Sequence, residues 1–219
     1  MKRALLIMIV AILLAIPSNA NRPDSLSCNY DHSFSLPQAI VPGSLLISGI
    51  VITSVPDLHQ NIDYRLRDWV ISDGHESWHG DNYMQYLPIA TPFVLNLCGV
   101  KGSHNLRDLV CLSAGTYILG SILLNGTKYT TFVERPYSDS FNSFPSGHTF
   151  TAFAGAEILR REYGKDYPWI GVAGYAVATS VGLLRIYNNS HWMSDVMAGA
   201  GLGILSASIT YWLAPYLRF

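Results

Sequence analysis

Apolar and polar residues alternate along this chain on the scale of whole helices, not of single positions. Five stretches carry no formal charge: Ala39 to Val55, Tyr86 to Val100, Leu109 to Thr127, Tyr167 to Leu184 and Val196 to Leu217. The third, fourth and fifth approach the about 20 residues that a spanning helix needs. Tyr86 to Val100 is short and contains Pro88 and Pro92, which suits a buried core helix equally well. A sixth helix is predicted from Thr149 to about Tyr163, where Thr149, Phe150, Ala152, Phe153 and Ala156 give a mixed face. There is no internal repeat and no low-complexity segment. The pattern predicts an all-α protein of six helices, embedded in a membrane.

Composition supports that environment. Only 13% of the 219 residues are charged and 49% are apolar, against a usual charged share of about 25%. A net charge of -1 supplies no broad positive field, so nucleic acid is excluded as a partner class. Any phosphate must be held by a few placed cations. Cys28, Cys98 and Cys111 have no CxxC spacing, and the last two lie in apolar runs. They are expected to be buried free thiols, not zinc ligands.

At the N-terminus, Lys2 and Arg3 precede an apolar run from Ala4 to Ile16 and then Pro17-Ser18-Asn19-Ala20. This predicts an export signal over residues 1–20 cleaved after Ala20, or an uncleaved anchor. Residues 21–38 are expected to be loop, and 21–219 to form a single domain. Asp57 to Gln85 is the most polar part of the chain. Asp73, His75, Glu76, His79 and Asp81 have a spacing that fits no metal site, so the segment is expected to be a solvated loop, with Trp69 and Trp78 near lipid headgroups.

Three short stretches carry candidate chemistry. In the first, Lys128 and Arg135 lie seven positions apart and Pro136 follows; a point charge and a planar fork there can reach one phosphate from different directions. The alternative is a helix end decorated with cations. In the second, Pro145-Ser146-Gly147-His148 places a turn before a helix. Helix-start amides favour an anion, Gly147 permits close backbone approach, and His148 can exchange a proton beside the bound group. In the third, His191 and Asp195 are four positions apart, so on a helix the carboxylate can hold one ring nitrogen and aim the other's lone pair. Arg185 adds a second fork.

In this order the three stretches resemble the signature of the type 2 phosphatidic acid phosphatase superfamily, KxxxxxxRP, PSGH and SRxxxxxHxxxD, over roughly residues 109–217. One position departs: Leu184 stands where the pattern has serine, which puts phosphate affinity or substrate preference in question. The resemblance implies a six-helix bundle with core motifs over 128–195. It implies that Lys128, Arg135 and Arg185 hold the phosphate oxygens with Ser146 and the Gly147 amide. His191 would attack phosphorus to give a phosphohistidine, Asp195 would orient it, and His148 would protonate the leaving oxygen and then activate water. No metal or other cofactor is implied.

The substrate expected is a phosphorylated membrane lipid, with lipid A favoured by overall size and the Arg185-Ile-Tyr-Asn-Asn stretch. Undecaprenyl pyrophosphate is the nearest competitor. An anion transporter and a vanadate-binding haloperoxidase are the readings from other classes. If the two helices after His148 each cross once, all three motifs share one face. Lys101 to Asp108 and Arg160 to Asp166 would lie opposite, and Arg160, Arg161 and Lys165 make that face basic and cytoplasmic. The expected location is therefore a bacterial inner membrane with the site facing the periplasm; a largely soluble exported enzyme is the alternative. An exported N-terminus followed by three crossings would put Lys128 in the cytoplasm. Either Ala39 to Val55, broken by Pro42, Gly43 and Gly49, or Tyr86 to Val100 is then expected not to span.

Overall fold

A computed structural model describes residues 36–71 and 77–217. The expected export signal lies outside the described residues, as do Cys28, Asp73, His75 and Glu76. The described residues are helical without strands: α1 (Leu36–Ser54), α2 (Pro56–Ile71), α3 (Asp81–Met84), α4 (Leu87–Leu97), α5 (Leu106–Thr131), α6 (Gly147–Tyr163), α7 (Pro168–Tyr187) and α8 (Met193–Leu217). These are eight helices where six were expected. The six expected ones are α1 and α4 to α8, and α2 and α3 are additional short helices in the polar segment.

Local chemistry explains the boundaries. Prolines in the first turn start α4 and α7, where a missing N–H costs nothing. Asn105 caps α5 by accepting from the Asp108 amide at 2.9 Å. Phe132, with φ of 49°, turns out of the helix at its other end. At Val55 the chain breaks between α1 and α2, whose axes differ by 99°, and α2 contains a π-helical turn from His59 to Tyr64.

Around α6 pack α4, α5, α7 and α8, with Ala152, Ala154, Ala156 and Ile158 fully buried. Small residues set the α6–α8 separation. A Cβ on Gly199 would stand 2.5 Å from the Ser146 carbonyl, and one on Gly203 would stand 2.6 Å from that of Phe150. Such crowding keeps α8 against the start of α6. On the other side of α8, a Cβ on Gly49 of α1 would meet the Ser194 carbonyl at 2.6 Å.

These contacts define two ends. The loops before α6 and before α8 meet through the Ser146 amide and Asp195 carbonyl, 3.0 Å apart. The opposite end joins the chain before α5 to the end of α6, where the Ser103 amide donates to the Glu162 carbonyl at 2.9 Å and His104 Nδ1 pairs with Glu162 at 2.8 Å. The connectors expected to lie opposite the motifs do so. Arg160 and Arg161 are not simply a basic surface, because both pair with buried Glu157 at 2.7 Å.

Among the described residues, three helices are long and apolar enough to cross a membrane: Leu106–Thr131, Pro168–Tyr187 and Met193–Tyr216. α1 and α2 qualify only as a bent pair, and α4 has 11 residues, about 16 Å of helix at 1.5 Å each. The two segments singled out for their prolines and glycines are thus not straight spans, and neither is α6, whose 17 residues include Glu157, Arg160, Arg161 and Glu162. Two expectations need correction. Cys98 is exposed because it lies in the turn that ends α4, and Cys111 is half-buried on α5. The polar segment from Asp57 to Gln85 is also not simply a solvated loop: α2 and α3 fold within it, and Asp63 and Asp81 are buried at 2% and 0% exposure.

Candidate active site

The site is assembled where the chain leaves α5, enters α6 and crosses from α7 to α8. Lys128 occupies the last turn of α5 and reaches back to the Asn142 carbonyl at 2.6 Å. Arg135 follows in the loop, and its Nε donates to the Asn142 side chain at 2.8 Å. One asparagine thus holds both cations of the first motif. Ser146 precedes α6 without its side chain capping the helix; its hydroxyl accepts instead from Thr149 at 3.0 Å. A Cβ on Gly147 would meet nothing within 4 Å, so the helix start faces open space, where its amides favour an anion.

His191 lies between α7 and α8, only 3% exposed, with Nδ1 donating to Asp195 Oδ2 at 3.2 Å. That carboxylate oxygen also accepts from the Ser143 hydroxyl at 2.5 Å and the Trp192 amide at 2.9 Å. A proton held on Nδ1 leaves Nε2 with its lone pair. Burial, aided by the charges of Arg185 and Arg135, pushes the His191 pKa from its usual 6.5 down to about 4, against the pull of Asp195. The imidazole is therefore neutral at neutral pH. The folded-state value is depressed, so its stabilising effect is complete above about pH 6.5 and is lost as pH falls toward about 4.

Electrostatic reach links the three motifs. Lys128 feels Arg135, Asp195 and Arg185, and His148 feels Arg185, Asp81, His191 and Arg135. Arg185 is 7% exposed; its NH1 donates to Asp81 at 2.7 Å, and its buried Nε has no partner among the described residues. The ensemble is two imidazoles and three cations beside a helix N-terminus, a constellation suited to phosphate. Among the described residues no cluster of three His, Cys, Asp or Glu has the geometry to hold a metal.

Residues 109–219 match the PAP2 superfamily. The chain belongs to that superfamily. The lipid A 1-phosphatase of Porphyromonas gingivalis is 33% identical over 99% of this chain and 52% of its own length. The bacitracin transport permease protein BcrC of Bacillus licheniformis is 40% identical over 47% of this chain and 50% of its own. The chain spans about half the length of the curated relatives it matches. Among solved structures, a transmembrane PAP2 type phosphatidylglycerolphosphate phosphatase from Bacillus subtilis aligns with TM-score 0.54 and 20% identity, over 82% of this chain and 98% of that one. Aquifex aeolicus LpxE aligns at 0.51 and 22%, over 68% and 93%. Both share the fold.

Several residues of this PAP2 site were not legible in the motifs. Ser143 completes the His191–Asp195 pair, and nothing in its neighbourhood distinguishes it from other loop serines. Asp63 anchors the first turn of α8, accepting from the Ser194 amide at 3.0 Å and hydroxyl at 2.6 Å, and is itself held by His59 at 2.7 Å. Leu184 is half-buried beside Arg185 and offers no hydroxyl there. With His191 as the nucleophile proposed below, its depressed pKa predicts that the acid limb of kcat/KM of the free enzyme lies well below pH 6.5, near 4. A pH profile corrected for the phosphate's own ionisation near about 6 measures it, and a limb at 6.5 would contradict the buried imidazole.

Proposed function

We propose that this chain is a metal-independent phosphatase of membrane lipids, working through a phosphohistidine, with lipid A as its favoured substrate. The observation that carries the reading is His191, neutral and held through Nδ1 by Asp195, within electrostatic reach of Arg185 and Arg135. In-line attack by Nε2 forms an N–P bond as the bond from phosphorus to the leaving oxygen breaks. His148, whose pKa burial and the charge of Arg185 hold at about 4 in the free site, is charged by the negative phosphate bound beside it and gives that oxygen its proton. His148, now neutral, takes a proton from water, whose oxygen displaces Nε2 and releases inorganic phosphate. Lys128, Arg135, Arg185 and the amides at the start of α6 neutralise the equatorial oxygens throughout, so the charge stabilisation needed comes from the chain itself.

The membrane reading draws on the molecule's surface. Ile118, Ile122, Val172 and Leu183 are exposed along the candidate spans, a face suited to acyl chains. Trp78, Tyr83, Tyr129 and Tyr137 are exposed near the site end, and Trp169 and Tyr216 near the other, as in aromatic belts at two interfaces. The site then lies at headgroup depth. We infer that it faces the periplasm of a bacterial inner membrane, with Lys101, Arg107 and Lys165 at the cytoplasmic end.

Similarity to lipid A 1-phosphatases from several organisms favours a lipid A phosphate. Similarity to a probable diacylglycerol pyrophosphate phosphatase of Schizosaccharomyces pombe, 30% identical over 36% of this chain, keeps lipid pyrophosphates such as undecaprenyl pyrophosphate as the second reading. Mass spectrometry of lipid A from a heterologous host expressing the chain decides between them. A phosphate-sized mass loss with the wild type but not with His191→Ala is expected. Unchanged lipid A, with phosphate released from undecaprenyl pyrophosphate in vitro, would move the assignment to the second substrate.

A further inference from the structure

We propose that the short helix α3, which lies outside the segment matching the superfamily, is a positioning element of the active site: Asp81 sets the Arg185 fork and Asn82 sets the His148 ring. The inference rests on the phosphatase reading above. It starts from a polar residue in the wrong place for a loop. Asp81 has 0% exposure, and its carboxylate accepts from Arg185 NH1 at 2.7 Å and from Asn188 at 3.2 Å. Asn188 is bound in turn to the amide and the carbonyl of Trp78, at 2.9 and 2.8 Å. The end of α7 and the entry to α3 are thereby latched together on both sides of the ion pair.

This arrangement constrains the guanidinium in a way useful for phosphate. A guanidinium is planar with five donors, so fixing one terminal nitrogen and the side-chain stem fixes the plane. Asp81 occupies NH1, while the Nε donor is buried and has no partner among the described residues. It remains available to a phosphate oxygen. Asp81 also gives the buried cation a counter-charge, without which its burial would be costly.

The next residue acts on the other half of the reaction. Asn82 Oδ1 accepts from His148 Nε2 at 2.9 Å, which leaves Nδ1 as the atom that exchanges the catalytic proton, giving it from the imidazolium and taking it from water as the neutral ring. An amide holds the ring without the negative charge that would hold the imidazolium too firmly to donate. The α3 turn is closed by Gln85, whose amide donates to the Asp81 carbonyl at 3.2 Å and whose side chain donates to the Asn82 carbonyl at 2.9 Å. One turn of helix therefore presents two adjacent side chains to two different motif residues.

Double-mutant cycles on the full chain in detergent test this, with phosphate release from lipid A as activity and orthovanadate as the inhibitor. Asp81→Ala should weaken vanadate inhibition and raise KM by about tenfold or more in the wild-type background, and by under twofold in Arg185→Ala, because the effect travels through the arginine. Should Asp81→Ala fail to fold, Asp81→Asn isolates the charge and should show the same non-additivity. Asn82→Asp should move the alkaline limb of kcat upward by about one pH unit, since a carboxylate raises the imidazole pKa. Additive losses at Asp81 and Arg185, with an unmoved pH profile in Asn82→Asp, would overturn the proposal while leaving the phosphatase reading intact. A wild type that releases phosphate from no lipid would sink that reading and this inference with it.

Discussion

Alanine at His191 is expected to abolish phosphate release, with kcat reduced by about 10⁴-fold or more, because the proposed mechanism makes this the group that forms the bond to phosphorus and leaves the rest of the site only to bind. The protein should still fold. Asp195 keeps two of its donors, the Ser143 hydroxyl and the Trp192 amide, so the loss of one buried hydrogen bond should cost about 1–3 kcal/mol. Phosphate release and thermal unfolding in detergent, measured on the same preparation, separate the two effects. Residual activity within tenfold of wild type would place the nucleophile elsewhere, and His148 would be the first group to test.

Asparagine at Asp195 is expected to do nearly as much damage by a different route. Oδ2 accepts from three donors: His191 Nδ1, Ser143 Oγ and Trp192 N. An amide has one acceptor oxygen and places a donor on the other side, so it can turn the imidazole to the tautomer whose lone pair faces away from phosphate. The analogous change in a serine protease triad costs about 10⁴ in kcat, and a loss of that order is expected here, with KM altered far less. Rapid-quench trapping of the phosphoenzyme should show its formation slowed in proportion. A fall of less than tenfold would mean that burial alone orients His191 and that Asp195 serves mainly to anchor α8.

The effects differ in kind from those at α3 because His191 and Asp195 belong to one local unit, four residues apart. Their pairing follows from helix-like spacing and needs nothing distant. The α3 and α2 contacts join residues far apart in the chain: Asp81 reaches Arg185 across 104 positions, Asn82 reaches His148 across 66, and Asp63 reaches Ser194 across 131. No window of sequence contains such a pair, so the polar segment from Asp57 to Gln85 reads locally as solvated even though two of its carboxylates are among the most buried groups in the molecule.

What the sequence determined by itself was therefore the set of long helices and the order of the three motifs. Charge-free runs near 20 residues long leave helix as the way to satisfy the backbone in an apolar setting. The five runs correspond to α1, α4, α5, α7 and α8, and α6 was legible from its mixed apolar face instead, although α8 begins at Met193 and α7 ends at Tyr187, beyond the apolar limits, because Asp195 and Arg185 are buried with partners. Only the tertiary structure decided which polar residues lie inside. It brought Ser143 onto Asp195 and Asp81 onto Arg185, and it turned Arg160 and Arg161 from surface cations into partners of Glu157. The physical reason is that burying a charge is favourable only when a matching group is already in place, and that condition depends on packing between helices.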